Sequence, residues 1–72
     1  MIPPKYIVVS TIRGTRYYIR EDDRGNFYHE GLIENATKYD TKKEANVVYS
    51  LVDSGGTLTV EDFPPNKTQK NG

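Results

Sequence analysis

The sequence predicts a small α+β domain: an antiparallel sheet in the order β-β-β-α-β with one amphipathic helix on one face. Three observations carry that expectation. Residues Lys5–Ile12 (KYIVVSTI) and Thr15–Glu21 (TRYYIRE) are dense in β-branched and aromatic side chains and are separated by a lone Arg13-Gly14. Thr41-Lys42-Lys43-Glu44 is a capping box that opens a helical repeat. Leu58 and Val60 then alternate with Thr57, Thr59 and Glu61, as in a strand with one buried face.

Taken in order, Pro3-Pro4 blocks regular structure before the first strand. A two-residue turn at Arg13-Gly14 needs positive φ at both positions, which glycine accepts readily and arginine less so; a three- to five-residue loop is the alternative. With the two-residue turn, Val8 faces Ile19, Ser10 faces Tyr17 and Tyr6 faces Glu21 on one side of the ribbon. Ile7 with Arg20, Val9 with Tyr18 and Thr11 with Arg16 share the other. Asp22-Asp23-Arg24-Gly25-Asn26 is a turn, and Phe27-Tyr28-His29-Glu30 returns as a short third strand. Gly31 to Lys38 reads either as an irregular loop or as a brief extended segment ending at Tyr39. In the helix, Ala45, Val48, Tyr49 and Val52 recur at helical spacing, Leu51 widens the stripe, and Gly55-Gly56 supplies a left-handed stop. Tyr17, Phe27, Tyr39 and Tyr49 are expected to complete the core.

Length and composition bound the rest. The 72 residues suffice for one domain, expected to divide into a lead-in at 1–4, a folded unit at 5–62 and a disordered tail at 63–72. A unit of that size buries only about 60% of its unfolded surface, and a homodimer is one way to enlarge its core. Cysteine is absent, which excludes disulfides and thiolate metal sites and suits a reducing cytoplasm. The charges sum to zero, so a bulk drive toward nucleic acid or membrane is missing. No apolar run is long enough for a membrane span or a signal peptide. The triplets Asn35-Ala36-Thr37 and Asn66-Lys67-Thr68 match a glycosylation pattern, which chance explains in a chain with no secretory signal.

The parts of an active site are sparse. His29 is the single histidine, and on a short strand beside two aromatics and an acid it reads first as a partly exposed strand residue. The acids Glu21, Asp22 and Asp23 lack the alternate spacing of a calcium loop and read as a solvated hairpin tip. Gly55-Gly56 follows a helix, so it cannot cradle phosphate at a helix start. The expectation is therefore no enzyme, no metal and no cofactor.

Binding is the better-supplied alternative. Alternation puts Arg16, Tyr18 and Arg20 on one face with Ile7 and Val9, on the side that one helix would leave uncovered. Tyr and Arg are enriched in interface hot spots, so a protein partner is the leading expectation. The same set can stack bases and contact phosphates, which makes single-stranded nucleic acid the alternative, although the acids at 21–23 adjoin the strand and repel phosphate. An ordinary solvated strand, or packing against a second copy, is the plain reading. The open edge strands offer a partner a further route.

The run Ala36-x-x-Tyr39-x-Thr41-Lys42-Lys43-Glu44-Ala45, after a hairpin and before a Leu-x-Val strand, resembles small accessory proteins of bacteriophages and other mobile elements. The resemblance covers most of residues 5–62. It implies a cytoplasmic, non-enzymatic protein that binds and alters a host factor, and it assigns no functional residue.

Overall fold

The computed structural model describes residues 5–52 and 55–64. Strands β1 (Lys5–Ile12), β2 (Thr15–Glu21) and β3 (Phe27–Glu30) are followed by a 3-10 turn at Ile33–Asn35, helix α1 (Lys42–Leu51) and strand β4 (Thr57–Phe63). The four strands form one sheet in the order β3-β2-β1-β4, with every neighbouring pair antiparallel. The fold is thus α+β, with the expected order of elements. Among the described residues, no helix is long and apolar enough to cross a membrane.

The β1–β2 hairpin closes through two residues. Arg13 (φ 53°) and Gly14 (φ 81°) both lie in the left-handed region, the signature of a type I′ turn. The pairs Val9–Tyr18, Ser10–Tyr17 and Thr11–Arg16 follow as the turn demands. Beyond Val9 the expected ladder stops. Tyr6 pairs with Tyr39 rather than Glu21, and the Val8–Ile19 and Ile7–Arg20 pairs do not form. Residues 37–39 enter the gap instead. Tyr6 and Tyr39 exchange both backbone hydrogen bonds (2.9 and 2.8 Å), and the Thr37 amide donates to the Ile19 carbonyl (3.1 Å). The Thr37 hydroxyl accepts from the Glu21 amide (2.7 Å). Splaying the hairpin would leave backbone groups of β1 and β2 unpaired inside the domain, and the inserted segment satisfies them.

Helix α1 begins on the predicted box. The Glu44 amide donates to the Thr41 hydroxyl (3.1 Å), while the Glu44 carboxylate accepts from the amides of Thr41 (3.3 Å) and Asp40 (3.1 Å). The helix stops earlier than expected. Its C-cap is Val52 in an extended conformation, and the left-handed Gly55 lies several residues beyond. Ala45 and Val48 are buried, whereas Tyr49 and Leu51 are exposed, which corrects Tyr49 as a core residue. The stripe is wider than the contact, because a helix laid flat on β1 and β4 buries only its central rows.

Two clusters hold the domain together. On the helix side, Val8, Ile19, Ala45 and Val48 form a core joined by Tyr6, Phe27, Tyr39, Val52, Leu58 and Val60. On the opposite side, Ile7, Val9 and Ala36 form a second, joined by Tyr18, Ile33 and Phe63. The 3-10 turn therefore carries Ile33 and Ala36 over the face that the helix leaves free. Phe63 belongs to β4, paired with Lys5, so the folded unit runs past the expected boundary at 62. The lead-in and the segment from 65 onward lie outside the described residues.

Candidate binding face

Strand alternation places Arg16, Tyr18 and Arg20 together on the side opposite α1. Pairing brings further side chains to the same side. β3 contributes Glu30 opposite Tyr18 and Tyr28 opposite Arg20, and β4 contributes Thr59 opposite Val9, Glu61 opposite Ile7 and Phe63 opposite Lys5. Ile7 and Val9 lie beneath this layer at 0% exposure. Their place on an open apolar patch is therefore corrected: the 3-10 turn and the side chains of Tyr18 and Phe63 cover them.

What reaches solvent is a layer of guanidinium groups, rings and carboxylates. Arg16 Nη2 lies 2.6 Å from Glu61 Oε1, and its Cζ is 5.8 Å from the centre of the Tyr18 ring. Arg20 Nε lies 2.7 Å from Glu30 Oε2, and its Cζ is 4.4 Å from the centre of the Tyr28 ring. Lys38 Nζ sits 4.8 Å from the centre of the Phe63 ring and donates to the carbonyls of Glu34 (2.7 Å) and Ala36 (3.0 Å). The bond to Glu61 raises the Arg16 pKa, and the bond to Glu30 raises that of Arg20, so both cations are reinforced. Exposed ion pairs contribute little to stability, so these contacts chiefly hold the guanidinium planes in place. A guanidinium over an aromatic face is an attractive contact in its own right.

The hairpin tip braces one end of the layer. The Asp22 carboxylate accepts from the amides of Arg24 and Asn26, both at 2.9 Å, and from the Tyr28 hydroxyl at 3.0 Å. The backbone bond from Asn26 is the leading cause of a lowered Asp22 pKa, and the bond to Asp22 raises the pKa of Tyr28. This carboxylate organises its own turn. The ring of His29, on the helix side, meets Tyr17 edge-on with centroids 5.9 Å apart. Among the described residues, no group of three or more His, Asp or Glu side chains is placed to hold a metal ion.

Arg16, Tyr18 and Arg20 were legible from alternation. Tyr28 and Glu30 could have been found by extending the register through the Asp22–Asn26 turn. Glu61, Lys38 and Phe63 had no local signal, because the position of β4 beside β1 and the path of the 31–38 segment are long-range facts.

No family model matches this chain, and no curated protein or solved structure shows significant similarity to it.

Proposed function

We propose that this domain is a small non-enzymatic module, cytoplasmic and of the accessory type found in phages, which binds a protein and alters a host factor. One observation supports the reading above others. Arg16 and Arg20, with side chains 47% and 41% exposed, are held over the rings of Tyr18 and Tyr28 on one face. Oriented Tyr and Arg side chains lose little conformational freedom when a partner covers them, which is why they dominate interface energetics. The ion pairs favour a protein over single-stranded nucleic acid. Each guanidinium already holds a carboxylate, so the face presents little free positive charge to a phosphate backbone.

The test is affinity capture from bacterial lysate with and without nuclease, using wild type, Arg16→Ser and Tyr28→Ala. Both positions are exposed and tolerate change without loss of core, whereas Tyr18 packs on the second cluster. A discrete protein retained by wild type after nuclease, and lost from both variants while their amide spectra stay folded, is the expected result. Binding that vanishes with nuclease, or that both variants keep, would overturn it.

A further inference from the structure

The two edges of the sheet differ. β3 offers a short edge of four residues, while β4 runs seven residues in one-to-one register with β1. Tyr6 exchanges its backbone bonds with Tyr39, on the β2 side of β1. Since bonding direction alternates along an antiparallel strand, Ile7 and Val9 turn theirs toward β4, where Glu61 and Thr59 answer. The amides and carbonyls of Leu58, Val60 and Asp62 therefore point outward along an edge that no other strand of the described residues pairs. Natural edges are usually blunted by charged side chains, Pro or a bulge. The stretch from Thr57 to Phe63 (TLTVEDF) has no lysine, no proline and no bulge in its pairing, and its two charges, Glu61 and Asp62, lie toward the end that Pro64 closes, which leaves Thr57 to Val60 without such protection.

We infer that this edge pairs with the same edge of a second copy, joining two four-stranded sheets about a two-fold axis at Thr59. The sequence of the strand favours this register over those centred on Val60 or Glu61. With the axis at Thr59, Leu58 meets Val60 of the second copy on the helix side, Thr59 meets Thr59, and Thr57 meets Glu61. Apolar side chains face apolar ones, and no like charges oppose. Moving the axis to Val60 sets Leu58 against Asp62, and moving it to Glu61 sets two carboxylates directly opposite. The symmetry is isologous, so the pair closes and does not propagate into a filament. An edge-to-edge contact made through one strand of each copy is narrow, so dimerisation is expected to be weak and reversible. It needs no foreign protein, and it adjoins the Tyr/Arg face at Thr59 and Glu61, the residue that holds Arg16.

The test is sedimentation velocity from micromolar to millimolar protein, combined with amide exchange at Leu58 and Val60. Thr59 is exposed, so its substitution spares the core. Wild type and Thr59→Val are expected to dimerise reversibly, with both amides gaining protection as concentration rises. Thr59→Glu gives up the Thr59 hydroxyl bond to Glu61 and sets two carboxylates opposite each other across the axis, beside Glu61 of both copies. It is expected to remain monomeric while folded by circular dichroism, and Tyr28→Ala still dimerises. A wild-type monomer at millimolar concentration would overturn the inference. So would a dimer that Thr59→Glu leaves intact, or one in which the Leu58 and Val60 amides exchange as freely as in the monomer.

Discussion

Replacing Ile7 tests whether the second face of the sheet is a core or a surface. Ile7 is fully buried between Val9, Ala36 and the side chains that lie over them. Truncation to alanine removes both γ carbons and the δ carbon, and at about 0.8 kcal/mol per buried group the transfer loss is about 2.4 kcal/mol. A cavity contribution raises this toward about 3 kcal/mol, with the 3-10 turn, a single turn of chain, able to settle partly into the gap. Small domains hold only about 0.05–0.15 kcal/mol per residue, so Ile7→Ala would consume much of the total. Ile7→Val, at about 1 kcal/mol, gives a variant that stays folded for measurement. Urea titration followed by circular dichroism reads the midpoint, which is expected to fall in the order wild type, Val, Ala with an unchanged slope. If Ile7→Ala lies within about 0.5 kcal/mol of wild type, as surface substitutions do, Ile7 is solvated and the second cluster is not a core.

Two further outcomes follow from local geometry. A Cβ at Gly56 would lie 2.2 Å from the Thr11 carbonyl oxygen, so Gly56→Ala forces the start of β4 away from β1 and is expected to cost about 1–3 kcal/mol in the same titration. Asp22 has a depressed folded-state pKa, so its stabilising contribution is present above the ordinary carboxylate range and is lost as pH falls through the folded value. The stability gap between wild type and Asp22→Ala should therefore be widest near neutrality and close in acid, and a gap that stays constant down to about pH 2 would contradict the role assigned to this carboxylate.

The elements that could be read from the chain are those whose causes lie within a few residues. Arg13-Gly14 specified its turn, because positive φ at both positions is what a two-residue hairpin requires, and the first pairs of the ladder followed. Thr41 and Glu44 marked the helix start through reciprocal bonds spanning three residues. Asp22 and Gly25 marked the second turn through an acceptor carboxylate and a left-handed glycine. Alternation likewise put Arg16, Tyr18 and Arg20 on one side.

Alternation states which residues share a face and is silent on what covers that face. It sets Ile7 and Val9 on the correct side yet leaves them open, because the segment that buries them bears only Ile33 and Ala36 as inward apolar residues, too few to form a periodic pattern. The width of an apolar stripe is equally silent on the area of its contact, which is why Tyr49 reads as core and stands exposed. The sequence by itself determined the strands, the turns, the helix start and the membership of each face, since these depend on backbone sterics and bonds between near neighbours. The tertiary structure decided the splaying of the hairpin by residues 37–39, the second core beneath the Arg and Tyr side chains, and the placing of β4 at the edge of the sheet beside β1. Those outcomes depend on which distant segments pack together and satisfy one another's backbone groups, a balance that no short stretch of chain encodes.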